Sequence, residues 1–462
     1  MADNTILNAG AGGDTIASDD IGGVKFQRIK LVHGTDGVNA GDISNINPLP
    51  INFPATGTAR DAFGWLRVSS TNLRGFGGYE YGRPDVLVEQ AVTGTGAVSN
   101  NLDEASISLT TGGTASGAKA IAQTRTFFRY IPGRSQLIRC TGSLATLTAN
   151  VRQRVGYFCG TDGLFLEADG TDLFFVRRTS TAGGGPIDNR VARSSWYDRF
   201  DGTGPSGITL DLTTTFLMWF DLEWLGVGRY RFGFASPTTG ELLVAYEAAG
   251  VNVLSVPYIR TANLPVRYEI ENTGTAAAAR TLKWICYSVD SEGGEDPSLS
   301  LQQSIDSGTT STALANGTFR PIIAMRAKTT GPNSVTNRGQ IRLRASTVVN
   351  TGNSSILVRL IRNPTTLTQA GGAVTWVAGT GISETAAFTN AADTVAGGSV
   401  IDSYYVASSS TVKGSGNAEV FFQVPIVYSE LDSRQDTIVV AAAGLGGTAA
   451  GYGNLVWQEL FT

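Results

Sequence analysis

GRYRFGFA, residues 228–235, decides the fold. In an extended chain Tyr230, Phe232 and Phe234 fall on one side and Arg229 and Arg231 on the other. A side-chain period of two is that of a strand with one face turned to a core. Working outward, the same alternation returns. Val266, Tyr268 and Ile270 alternate with Arg267, Glu269 and Glu271, and Ile341, Leu343 and Ala345 alternate with Arg342 and Arg344. These read as half-buried strands of antiparallel sheets.

Turn signals separate the strands at short intervals. Asp162-Gly163 and Asp169-Gly170 bracket residues 164–168 and lead into residues 172–177, which predicts a hairpin. Pro237-Thr238-Thr239-Gly240 joins the Arg231 strand to residues 242–246. Gly and Pro recur too often for any long amphipathic helix. The expectation is an all-β chain: an N-terminal extended arm followed by two antiparallel β-sandwich, jelly-roll-like domains. Residues 1–85 form the arm, with a strand at 24–32, an extended Pro48-Leu49-Pro50 stretch and a short segment at 61–70. Residues 86–292 carry most of the aromatics and form the first sandwich. Residues 291–297 are polar and acidic with paired glycines, as a linker would be. Residues 298–462 form the second sandwich and end in a strand at 455–460.

The chain is long enough, at 462 residues, for two or three cores. Charged residues make up 16%, against about 25% in an average soluble domain, and Gly occurs 57 times. A surface so poor in charge is expected to be covered by copies of itself or by partners. The net charge of −4 gives no basic patch for nucleic acid. There are 29 Arg and six Lys, and arginine is the residue of two-pronged interface pairing. Cys140, Cys159 and Cys286 are scattered and odd in number, and are expected to be buried reduced thiols. The first residues lack a basic region followed by an apolar run, so no secretory leader is expected, and no run of 18 apolar residues predicts a membrane span.

Chemistry has few places to reside. The sole histidine, His33, is read as a polar loop position, and no Gly-x-Ser-x-Gly elbow accompanies it. No cofactor motif and no zinc ligand set occurs, so no cofactor is expected. Asp221 and Glu223 lie two apart in a strand over residues 216–225, so both share a face with Trp219. Two carboxylates beside a tryptophan suit a glycan contact or, in outline, a glycosidase. The simpler reading pairs them with arginines of neighbouring strands, such as Arg229, Arg231 or Arg267. Met218, Phe220, Leu222 and Trp224 form the opposite, core-facing side. Asp290, Glu292, Glu295 and Asp296 make an acidic loop, open to calcium but more simply a solvated linker. The aromatic pairs Phe127-Phe128, Phe174-Phe175, Trp196-Tyr197 and Phe421-Phe422 read as core or subunit interface before ligand contact.

The arm carries a resemblance. The run ADNTILNAGAGGDTIASDDIGGVKFQRIKLVHGTDG, residues 2–37, resembles an N-terminal segment of virion proteins of tailed bacteriophages. NPLPI (47–51) follows, and DAFGWLRVS (61–69) is similar to that family's Asp-Ala-Phe-Gly-x-Leu-Arg-Val-Ser junction, with Trp65 in the variable slot. FFRYIPGRSQLI (127–138), DGTGPSGITLDLT (201–213), WLGVGRYRFGF (224–234), NLPVRYEIENTG (263–274) and TNRGQI (336–341) extend the resemblance along nearly the whole chain. It implies a structural, tail-associated virion component without enzymatic motifs, made in the host cytoplasm and released by lysis. It also implies a homo-oligomer whose residues 1–85 attach to another virion protein of the tail, portal adaptor or capsid. A capsid decoration or head-fibre protein, and a receptor-binding module contacting host surface glycan, are the alternatives.

Overall fold

Strand Arg229–Ala235 forms as its alternation requires, with Tyr230, Phe232 and Phe234 buried on its inner side. In the computed structural model the described residues are 5–6, 15–16, 18–27, 71–181, 183, 185–293, 300–408, 413–416 and 424–461. Among them there is no α-helix, only strands and two short 3-10 turns. The chain divides into two units, Met1–Ala55 and Thr56–Thr462.

In the first unit Thr5–Ile6 pairs with Thr15–Ile16, and Ser18–Ile21 with Val24–Gln27. The second pair turns at Gly22-Gly23, both at positive φ, as a two-residue hairpin turn of this hand requires. The strand expected at residues 24–32 is observed as Val24–Gln27, and its remainder lies outside the described residues. So do His33, Pro48-Leu49-Pro50, and the segments 47–51 and 61–70.

The second unit holds two antiparallel sandwiches. In the first, one sheet runs in the order Leu242–Ala249, Arg229–Ala235, Phe216–Leu222, Gln136–Ser143, Thr281–Glu292, Ser106–Thr110, Ala97–Asn101. The 12-residue strand Thr281–Glu292 divides one edge between two partners, Ser106–Thr110 and Thr71–Gly78. Thr71–Gly78 falls within residues 1–85 yet is a strand of this sheet. The facing sheet runs Ile187–Ala192, Asp172–Thr179, Gly163–Asp169, Val151–Phe158, Val266–Asn272, Lys119–Thr124, Val88–Thr93. The expected hairpin is here, closed at Gly170 with Asp169 opposite Asp172. Aromatic rings join the two layers. Phe175 stacks on Phe232 with centroids 4.6 Å apart, and Tyr268 on Trp284 at 4.6 Å. Such pairs add about 0.5–1.5 kcal/mol beyond the area they bury.

The second sandwich packs Leu301–Asp306, Ala449–Leu460, Gln340–Asn350 and Lys413–Gly416 against a sheet ordered Val377–Ala378, Ser383–Ala387, Arg320–Ala327, Thr437–Gly444, Ile356–Arg362, Ser399–Val406. Its core is aliphatic, built from Ile323, Ile341, Leu343, Val358, Leu360 and Val440 around Trp457.

Two bulges overturn two expectations. In Gln340–Asn350 the register slips between Leu343 and Ala345, so Arg344 is the extra residue. Inward positions then move to Ser346, Val348 and Asn350, and Ala345 is only half-buried. In Thr281–Glu292 the slip skips Ile285, so Trp284 and Tyr287 both turn inward and Cys286 outward. Cys140 and Cys159 are buried as expected, but Cys286 is exposed.

The sandwiches meet through buried polar contacts. Arg125 grips Asp436 with both terminal nitrogens, Nη1 to Oδ2 at 3.3 Å and Nη2 to Oδ1 at 3.0 Å. Arg362 Nη2 adds a bond to Oδ2 at 2.6 Å and Asn363 Nδ2 one to Oδ1 at 2.8 Å. Glu89 accepts from the Ser429 hydroxyl, from Leu431 N at 3.0 Å and from Gln123 Nε2 at 2.5 Å. Gln340 Nε2 caps the Phe127 carbonyl at 3.0 Å.

Candidate functional site

Strand Phe216–Leu222 places Trp219 and Asp221 on one face, with Glu223 just past its end, and Met218, Phe220 and Leu222 in the main core on the other. The outer face is not open. Trp219 and Asp221 are 0% exposed and Glu223 3%. Trp219 packs with Leu137, Val244 and Leu242 in a small cluster of its own. Asp221 stands opposite Arg231 across the strand pair, and its Oδ2 accepts from Arg231 Nε at 3.0 Å and Nη2 at 2.8 Å. Its Oδ1 accepts from Ser135 Oγ at 2.6 Å. The Arg231 guanidinium lies 5.6 Å from the Trp219 ring centroid.

Of the arginine partners expected for Asp221, Arg231 is the one that meets it. Arg267 goes to Glu269 and Arg229 to Glu247. Burial therefore corrects the reading of Trp219, Asp221 and Glu223 as a glycan contact: a sugar cannot reach side chains this deep. Burial, with Glu223's charge adding to it, pushes the Tyr130 phenol up to about 12.

A larger polar array occupies the outer face of the facing sheet. Arg154 stands in register with Glu167 on one neighbour and Glu269 on the other, at 2.7 and 2.9 Å. In the next row Arg152 reaches Glu271 at 3.3 Å, and Lys119 reaches Glu269 at 2.8 Å. Arg267 bonds Glu269 at 2.7 Å and Gln123 at 3.1 Å, and Arg178 forks onto Asp188 at 2.7 and 2.9 Å. Arg178 and Arg267 also sit over the Phe158 ring, and Arg154 over Phe165. Burial alone would raise the Glu269 carboxyl, but Arg267, Lys119 and Arg154 hold it well below the usual carboxylate range. Among the described residues each carboxylate in these rows faces a guanidinium or ammonium, which fits a layer that stiffens the sheet. The alternation of Arg267, Glu269 and Glu271 was visible in the sequence. The partner strands were not.

Asp290 is tied to Arg139 at 2.6 Å, and Glu295 and Asp296 lie outside the described residues. Among the described residues no group of three or more His, Cys, Asp or Glu could hold a metal ion, and no helix is long and apolar enough to cross a membrane. Phe127, Phe128, Phe175 and Trp196 are buried core residues, Phe174 is half-buried and Tyr197 exposed, while Phe421-Phe422 lie outside the described residues.

The fold and site define an all-β, two-sandwich protein in which Asp221 is buried and paired with Arg231. No protein-family model matches the chain, and no curated protein sequence matches it. Among solved structures it is similar to a glycoside hydrolase family protein from Mycobacterium thermorestibile, at 10% identity and a TM-score of 0.32, over 47% of this chain and 100% of that one. It is also similar to arcelin-5, a lectin-like defense protein from Phaseolus vulgaris, at 7% identity and a TM-score of 0.29, over 48% of this chain and 99% of that one. A beta-1,3-glucanase from Mycobacterium marinum gives 11% identity and a TM-score of 0.31, over 48% and 99%. These are partial likenesses of β-sandwich architecture.

Proposed function

We propose that this chain is a non-catalytic structural component of a tailed-bacteriophage virion. It is tail-associated, assembled with copies of itself, and attached to a neighbouring virion protein through its N-terminal region. The observation that carries this reading is the resemblance of residues 2–37 and 61–69, and of phrases through residue 341, to such virion proteins. Geometry supports the non-catalytic part, because Asp221 is held by Arg231 and Ser135 under a sealed surface. The surface supports assembly. Leu225 and Val227, with Val251, Val253 and Val256, are exposed on two loops joined by the bond from Gly250 N to Val227 O. Aliphatic clusters of this kind mark surfaces that other protein covers.

Deleting residues 1–55 in the phage that encodes the chain, then quantifying it in purified particles and in the lysate, tests the reading. The cut spares Thr71–Gly78, which the first sandwich needs. The truncated chain should accumulate soluble in the lysate and be lost from particles. Its undiminished incorporation would overturn the attachment, and absence of the intact chain from particles would overturn the whole reading.

A further inference from the structure

A cleft of about 510 Å³ opens where the two sandwiches meet, within the ~300–1,000 Å³ range of small-molecule sites. Its apolar wall is Ile382 and Phe461 with Pro332 and Val335 of the loop 331–339, and its polar side carries Arg260 and Arg338. Thr261 and Thr336 add hydroxyls to the lining.

The two guanidinium groups differ in what they have left to give. Arg338 is committed to Glu430 and to Thr161, and lies over the Phe127 ring. Arg260 is not. Its backbone N donates to Asp162 Oδ1 at 2.8 Å, but its side chain, half exposed, approaches Asp162 only to 3.9 Å. Asp162 is already occupied by Ser180, through N at 3.2 Å and Oγ at 2.7 Å. Among the described residues the Arg260 side chain makes no hydrogen bond, so its planar fork of donors is available at the cleft. That fork matches the paired oxygens of a carboxylate, as it does those of a phosphate.

The loop 331–339 is shaped rather than slack. Asn333 and Ser334 are both left-handed, with φ of 57°, although neither is glycine. Such strain persists where the surroundings over-determine it, often at ligand clamps. Here the loop is pinned by Gly331 N to Val335 O at 2.7 Å, and by Asn337 Nδ2 to the carbonyls of Lys328 and Ile382. The result is a pinned apolar loop segment that lines the same cleft as a half-exposed guanidinium and two threonines.

We propose that this cleft binds a carboxylated sugar of the hexuronate kind. The C–H face of the ring lies on Val335 and Phe461, the carboxylate on Arg260, and ring hydroxyls meet Thr261 and Thr336. An aliphatic acid would leave the hydroxyls unused, and a neutral sugar would leave Arg260 unused. The proposal stands whether or not the chain assembles on a virion.

Ligand-observed NMR of the full chain with sodium glucuronate, glucose and acetate tests it. Glucuronate should bind saturably, with glucose and acetate each about tenfold weaker or more, the worth of one charge-assisted hydrogen bond set. Arg260→Gln, at a half-exposed position, should weaken glucuronate about tenfold, with circular dichroism showing that the variant is folded. Val335→Trp should block binding by filling the cleft. The proposal is overturned if glucuronate does not bind saturably, if glucose or acetate binds as tightly, or if Arg260→Gln leaves its affinity unchanged.

Discussion

Arg125 of the first sandwich and Asp436 of the second meet at 3.0 Å with neither side chain exposed, and Arg362 holds the same carboxylate from the other side. Removing one member of a buried pair strands the rest, at about 3–5 kcal/mol. Asp436→Asn leaves two arginines facing each other across the junction, and denaturant unfolding should show a loss of that size. The pH dependence has a definite sign. Burial alone would raise the Asp436 carboxyl, yet Arg362 and Arg125 hold it below its ordinary value. A carboxylate depressed on folding contributes stability above its unfolded value of about 3.9, and loses it as pH falls through the lower folded value. The wild type should therefore lose this contribution only below about pH 4, and Asp436→Asn should lack that part of the acid transition. An unchanged acid limb would show that the junction does not depend on this charge.

Arg154 supplies a second test, on the outer face of the sheet. It lies between Glu167 and Glu269, both buried, but Glu269 keeps Arg267 and Lys119 when Arg154 is lost. Among the described residues Glu167 then keeps Arg190 alone, at 2.6 Å, a partly exposed partner. Arg154→Met retains the aliphatic stem and should cost about 3–5 kcal/mol. Adding Glu167→Leu should recover part of the loss, because the stranded carboxylate goes with it. A double-mutant cycle with no coupling between the two positions would contradict the geometry.

The strands were legible because one face of each is buried, and burial imposes period two on the sequence. Tyr230, Phe232 and Phe234 declared their face, and so did Val266, Tyr268 and Ile270. The pattern fails where the backbone adds a residue. Nothing in the run around Arg344 or Ile285 announces a bulge, because its cause is the register with Ala449–Leu460 or Gln136–Ser143 rather than local propensity. The candidate site was legible only in part. Spacing put Asp221 and Trp219 on one face, but a strand carries no statement of what covers that face. Cross-strand neighbours decided it, and Arg231 lies ten residues away in the chain yet directly opposite in the sheet. The cleft beside Arg260 was invisible for the same reason, since its walls come from two sandwiches.

The bulge at Ile285 has a chemical consequence. Cys286 is exposed, whereas Cys140 and Cys159 are buried, and burial pushes the Cys140 thiol far up from its ordinary range. Thiolate, not thiol, is the reacting form, and access is required as well. In the native protein a thiol reagent should label one cysteine, Cys286 by peptide mass, and all three after denaturation. Labelling of Cys140 or Cys159 at a comparable native rate would place the slip elsewhere in the strand.

Asp221 and Glu223 divide a catalytic reading from an architectural one. If they served hydrolysis, Asp221→Asn and Glu223→Gln would abolish turnover while leaving the fold intact, since catalytic carboxylates flank a glycosidic bond that must be able to reach them. Asp221 instead neutralises Arg231 in a sealed layer beside Trp219. Asp221→Asn should therefore cost about 3–5 kcal/mol by stranding the guanidinium. Trp219→Ala should cost a similar amount, about 3–5 kcal/mol, through the cavity it leaves. Neither the wild type nor either carboxylate variant should release reducing ends from β-glucan or capsular polysaccharide. The decisive comparison is between melting temperature and sugar release on the same preparations. A variant that melts like the wild type but loses a measurable hydrolysis would overturn the architectural role. A variant that melts early, with no hydrolysis in any form, is the outcome expected from the buried Asp221–Arg231 pair.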